Sequence, residues 1–163
     1  MWELLLLLLF WPKKPALTSL ARRLSAGMTI FPVTPESASF SDDYNSSKHR
    51  GIDIFADAGT AVLAPEAGTV RFTTDPLGGL VFYLMGASGT RYYGAHLRGY
   101  VGKDRAVAAG EQIGFVGTTG NARGGPAHLH FQLDGGDTNP YPLLMRLAPG
   151  APQAPWARKA AVA

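Results

Sequence analysis

Four histidines and one aspartate hold most of the chemistry this chain can offer. The histidines are His49, His96, His128 and His130. His128 and His130 sit in Ala127-His128-Leu129-His130-Phe131, a strand-like run. Residues two apart on a strand share a face, so the two imidazoles project together, with α-carbons roughly 6.6 Å apart. A pair so placed can serve one metal centre, one ring as ligand and the other turned toward the reacting water. His49-Arg50-Gly51-Ile52-Asp53 offers a third imidazole and a carboxylate. Their i, i+4 spacing would suit a helix face. Ile52, Ile54, Phe55 and the glycines nearby instead favour a strand. On a straight strand the two residues stand about 13 Å apart, too far for one ion. If both are ligands, the chain must bend near Arg50-Gly51, and glycine permits such a bend. His96 ends Tyr92-Tyr93-Gly94-Ala95-His96, where it can hang over a neighbouring sheet face.

Two imidazoles and one carboxylate make a plausible divalent-metal set, with two histidines left over. Catalytic zinc sites commonly use three protein ligands and keep a fourth position open. Such a set leaves the centre at a formal +1, which favours hydroxide. The chain has no cysteine, so thiolate ligands, disulfides and a cysteine nucleophile are excluded. Zinc or another borderline divalent ion is therefore preferred over soft-metal chemistry. No Glu follows a metal-binding histidine, which excludes the HExxH arrangement.

The elements that must position these groups read as short strands. Residues 60–64, 69–73, 80–85, 90–93, 112–116 and 128–133 are apolar or β-branched runs punctuated by Gly and Pro. Residues 80–85 and 90–93, joined by Gly86-Ala87-Ser88-Gly89, form a hairpin. The fold class expected is mainly β, an antiparallel sandwich or open barrel with short flanking helices at residues 21–28 and 142–147. The 163 residues suit one principal domain, here 31–147, between an N-terminal segment 1–30 and a flexible Pro/Ala-rich tail 148–163.

Residues 4–11 (LLLLLLFW) are too few to span a bilayer, which takes roughly 20 apolar residues. Their length matches the core of an export signal, but no positive residue precedes them. They read as an atypical export signal, an interfacial anchor flanked by Trp2 and Trp11, or the remnant of a longer start, so export or membrane association is expected through this segment alone. The net charge of +3 is a mild bias toward anionic surfaces. No Lys/Arg run is dense enough for a nucleic-acid footprint. Residues 31–48 precede His49 and can shape or cover the site, while Asp42 and Asp43 read as solvated turn residues rather than ligands.

With these motifs assembled, the chain resembles the M23 (lysostaphin/LytM-like) peptidoglycan endopeptidases over roughly residues 40–144. The resemblance rests on His49-Arg50-Gly51-Ile52-Asp53, Gly59-Thr60-Ala61-Val62, Gly94-Ala95-His96-Leu97, Val116-Gly117-Thr118-Thr119-Gly120-Asn121 and His128-Leu129-His130. It implies His49, Asp53 and His130 as Zn2+ ligands, and His128 and His96 as the pair acting on water and transition state. It implies a β-domain with a groove over the sheet, a peptidoglycan peptide as substrate, and a place in the periplasm, cell envelope or outside the cell. A monomer with no nucleic-acid partner is expected. The chain departs from its relatives at Gly94, where they often carry Tyr; here Tyr93 stands one step earlier, and the groove wall beside His96 is expected to differ. A regulatory wall-binding module, or a lysin or toxin of the same fold, are the alternatives; a filled ligand set favours the enzyme.

Overall fold

Alternation of apolar and polar side chains is clearest in the ninth strand, β9 (His128–Leu133), where Leu129, Phe131 and Leu133 are buried and the residues between them face outward. The first, β1 (Ile52–Phe55), alternates in the same way, burying Ile52 and Ile54. Period-two patterning of this kind forces each strand to bury one face and expose the other. The computed structural model describes residues 27–34 and 38–148. Between these two strands run β2 (Ala61–Leu63), β3 (Gly68–Asp75), β4 (Gly79–Gly86), β5 (Arg91–Leu97), β6 (Gly99–Tyr100), β7 (Arg105–Val107) and β8 (Gln112–Phe115).

The strands form two sheets, a six-stranded one in the order β1-β9-β5-β4-β3-β7 and a three-stranded one in the order β2-β8-β6. Every pairing is antiparallel. Neither sheet closes into a barrel. The expected hairpin is β4–β5, with Tyr83 opposite Tyr93. One apolar cluster joins both sheets: Ile52, Ile54, Phe82, Leu84, Tyr92, Leu129 and Phe131 from the larger, Val62 and Ile113 from the smaller. Helix α1 (Tyr141–Leu147) starts with Pro142 in its first turn, where a missing N–H costs nothing, and anchors to the core through Leu144.

The opposite face of the larger sheet stays open. Register pairs Asp53 with His130, His130 with Ala95, Tyr93 with Gln132, and Tyr83 with Tyr93. Asp53, His130, Gln132, Tyr93, Arg91 and Tyr83 therefore share one surface, the floor of a groove of about 1050 Å³.

Of the two short helices expected, the second is α1. The first is not formed at Gly27 and Met28, which are irregular, and its remainder lies outside the described residues, as do residues 4–11 and 149–163. Among the described residues no helix is long and apolar enough to cross a membrane.

Candidate metal centre

Asp53 and His130 face each other directly across β1 and β9. His49 must reach them from outside the sheet. It does so through a tight turn: Asn45, Ser47 and Lys48 all take left-handed backbone, with φ of 62°, 48° and 68°. Ser46 and His49 close the turn through backbone bonds from Ser46 N–H to Asp43 O (3.0 Å) and from His49 N–H to Ser46 O (2.7 Å). The chain thus doubles back immediately before His49. Between the two ligands the chain bends at Gly51, as expected, and does so without a positive φ. Its role is space: a Cβ there would lie 2.6 Å from Phe131 O and 2.8 Å from His130 Cε1. Glycine lets the bent chain pass under the His130 ring; the left-handed residues Asn45, Ser47 and Lys48 belong to the separate turn before His49.

Three donor atoms converge. His49 Nε2 lies 2.9 Å from His130 Nδ1 and 3.1 Å from Asp53 Oδ1, and His130 Nδ1 lies 2.8 Å from the same oxygen. Among the described residues this is the group of side chains able to hold a metal ion. Tetrahedral zinc, with bonds of about 2.0–2.2 Å, sets its ligand atoms roughly 3.3 Å apart. The triangle's sides fall within about half an ångström of that, and two imidazoles with a carboxylate are a zinc donor set. The residues fit the ion that the sequence implies.

Carboxylates set the electrostatics of this half of the site. Hydrogen bonds to Asp43 and then Asp53 outweigh burial and hold the metal-free His49 imidazolium up to a pKa of about 10. Burial pushes the Asp53 carboxyl upward, but hydrogen bonds from His130 and His49 and nearby imidazole charge win, leaving it well below the usual carboxylate range. Asp43, read from sequence as a solvated turn residue, is instead partly buried, with Oδ2 3.3 Å from His49 Nδ1. Gln132, also unforeseen, places its amide 2.8 Å from His130 Nε2.

The other two histidines are held differently. His128 Nδ1–H donates to Pro126 O (2.9 Å), and His96 Nδ1–H donates to Thr119 O (2.9 Å). A carbonyl can only accept, so both Nδ1 atoms carry the proton and both Nε2 lone pairs are left for the site. The rings stand 4.8 Å apart, and His128 Nε2 is 3.9 Å from Asp53 Oδ2. On regular alternation His96 would point with Tyr92 and Gly94 into the core. A bulge prevents this: Leu80 pairs with Leu97 but Phe82 with Gly94, giving β5 one extra residue, and His96 adopts φ 65°. Burial, opposed by the Thr119 bond and aided by the neighbouring imidazoles, lowers the His96 pKa. Thr119 is itself clamped, its hydroxyl donating to Leu97 O (2.8 Å) and accepting from Leu80 N–H (3.0 Å).

Gly94 faces the core, not the groove. A Cβ there would lie 2.2 Å from Phe82 Cε1 and 3.0 Å from Leu129 Cδ1. The groove wall at this level is Tyr93, whose hydroxyl donates to Asp75 Oδ2 (3.1 Å) and whose ring stands edge-on to His130.

The five groups foreseen from sequence thus meet in one groove. The model of peptidase family M23 matches residues 47–141. The chain belongs to peptidase family M23. Among curated proteins, this M23 chain is similar to the DD-carboxypeptidase/endopeptidase Mpg of Neisseria meningitidis, with 34% identity over 98 residues, 60% of this chain and 23% of that one. It is also similar to a Haemophilus influenzae metalloprotease, with 33% identity over 100 residues, 60% and 21% of the two chains. The chain thus spans less than a quarter of the length of these relatives. Among solved structures, the catalytic domain of the antimicrobial peptidase lysostaphin from Staphylococcus simulans matches with a TM-score of 0.55 and 30% identity, over 66% of this chain and 87% of that one. LytM from Ruminococcus gnavus matches with a TM-score of 0.67 and 26% identity, over 83% and 66%.

Proposed function

We propose that this M23 chain is a zinc-dependent endopeptidase that hydrolyses peptide stems or cross-bridges of bacterial peptidoglycan, in the cell envelope or outside the cell. The observation that carries the proposal is the pairing of a three-atom donor set with two imidazoles whose Nε2 lone pairs open onto the same groove. The names of the Neisseria and Staphylococcus relatives agree with it.

His49, Asp53 and His130 would hold the ion through the converging atoms Nε2, Oδ1 and Nδ1. When bound, zinc supplies Lewis acidity, polarising the scissile carbonyl and lowering the pKa of water. The protein moves the protons. His128 Nε2 takes the proton of the attacking water, because the imidazolium formed there faces the Asp53 carboxylate. The new C–O bond forms as the water loses that proton. His128 then returns it to the peptide nitrogen as the C–N bond breaks, leaving a carboxylic acid and an amine. His96, kept neutral by burial, orients the water or the leaving N–H by accepting a hydrogen bond at Nε2. Tyr93 forms the wall against which the substrate backbone lies.

The test is digestion of purified peptidoglycan by the chain with and without chelator, alongside His128→Ala, with products read by mass. New free amines that disappear under both treatments are the expected result. Intact peptidoglycan in the presence of stoichiometric bound zinc would overturn the wall-peptidase reading and favour a regulatory module.

A further inference from the structure

Asp43 has no part in the chemistry above, yet its placement is costly. One carboxylate oxygen, Oδ1, is buried without a hydrogen-bond partner. A buried carboxylate oxygen left unpaired is unfavourable and calls for compensation. The turn that brings Asp43 there is also strained, with three non-glycine residues in left-handed backbone between it and His49. Strain of this kind persists where surrounding structure enforces it, and among the contacts this turn makes is that of Asp43 Oδ2 at 3.3 Å from His49 Nδ1. His49 presents its opposite nitrogen, Nε2, to Asp53 and His130. Asp43 is not in the group whose donor atoms converge.

We infer that Asp43 is a positioning residue for the metal centre: its carboxylate accepts the His49 Nδ1 proton, and so directs the Nε2 lone pair toward the ion without binding the ion itself. Holding a ligating imidazole from behind in this way fixes tautomer and ring orientation and raises ligand basicity. The neighbouring Asp42 provides an internal control, because it is exposed and pairs with Asn139 Nδ2 at 3.2 Å. The inference rests on the reading of His49, Asp53 and His130 as zinc ligands.

The experiment measures zinc affinity of the full chain by competition with a chromophoric chelator, for wild type, Asp43→Ala, Asp43→Asn and Asp42→Asn. Asp43→Ala is expected to weaken zinc by about 10- to 100-fold. Asp43→Asn, whose amide oxygen still accepts from Nδ1–H, should fall between Asp43→Ala and wild type, and Asp42→Asn should match wild type. Equal affinity in wild type and both Asp43 variants overturns the inference. So does an Asp42→Asn loss as large as that of Asp43→Asn, which would signal general charge, and so does X-ray absorption showing one oxygen ligand fewer in Asp43→Ala. If wild type binds no zinc, the ligand reading itself fails. The His49 Nδ1–H resonance of the metal-free chain then decides on Asp43: slow exchange in wild type and Asp43→Asn but fast exchange in Asp43→Ala supports it, and equal exchange in all three overturns it.

Discussion

The two halves of the site are built from the same residue type and behave oppositely. His49 is flanked by carboxylates, Asp43 behind and Asp53 in front, and in the metal-free protein it is held protonated. His96 is anchored to a backbone carbonyl, buried beside other imidazoles, and held neutral. His128 shares the carbonyl anchor, and its Nε2 approaches Asp53 only at 3.9 Å. Side-chain carboxylates bring charge with them and suit groups that bind a cation. Backbone carbonyls orient a ring without adding a unit charge, which suits groups that pick up and release a proton. Anchor type thus sets His49 apart from His96 and His128, although all three are histidines, while His130 has the Gln132 amide at its outer nitrogen.

Removing a member of the carboxylate-held half should have the largest effect. Asp53→Ala or His130→Ala is expected to abolish both zinc binding and hydrolysis, read by metal analysis of the purified protein and by peptidoglycan digestion. A variant that keeps stoichiometric zinc would break the distinction at once. In the carbonyl-held half, His128→Ala should lower hydrolysis by about 10²- to 10⁴-fold, the usual range for general acid–base groups, while zinc affinity stays near wild type. Loss of zinc in that variant would move His128 into the ligand set.

Smaller effects come from the glycines that let the two halves approach. Gly51→Ala puts a Cβ 2.6 Å from backbone oxygen, and Gly94→Ala puts one 2.2 Å from a buried ring. Each should cost about 1–3 kcal/mol, the range for overpacking, in chemical denaturation of the metal-free protein. Gly51→Ala should also weaken zinc, because the intruding atom meets His130, whereas Gly94→Ala should not.

Acidity gives the finest probe. The His49 pKa is raised from 6.5 to about 10 in the metal-free fold. Its contribution to stability is present below pH 6.5 and is lost as pH rises through about 10. The Asp53 pKa is lowered from 3.8, so its contribution is present above that value and is lost as pH falls toward the folded pKa. Metal-free stability, followed by thermal melting, should therefore peak between about pH 4 and 6.5 as far as this cluster decides it. Asp43→Asn should flatten the alkaline side, and an unchanged alkaline slope would show that Asp43 does not hold the His49 charge.

Much of this was legible in the residues themselves. Alternation gave β9 its face assignment, because strand period alone decides which side His128 and His130 occupy. β1 alternates in the same sense, burying Ile52 and Ile54, but its pairing with β9, which sets Asp53 opposite His130, was decided by the tertiary structure. Spacing likewise demanded a bend near Arg50-Gly51, and the chain bends at Gly51. Only the tertiary structure showed the left-handed turn before His49, because such backbone at Asn45, Ser47 and Lys48 has no signature in side-chain type as clear as glycine. It alone turned His96 out of the core, since a bulge is a mismatch between two strands and cannot be read from either one. And it alone supplied Asp43, Gln132, Thr119 and Pro126 as anchors, because a hydrogen-bond partner is fixed by where distant segments meet, not by local pattern.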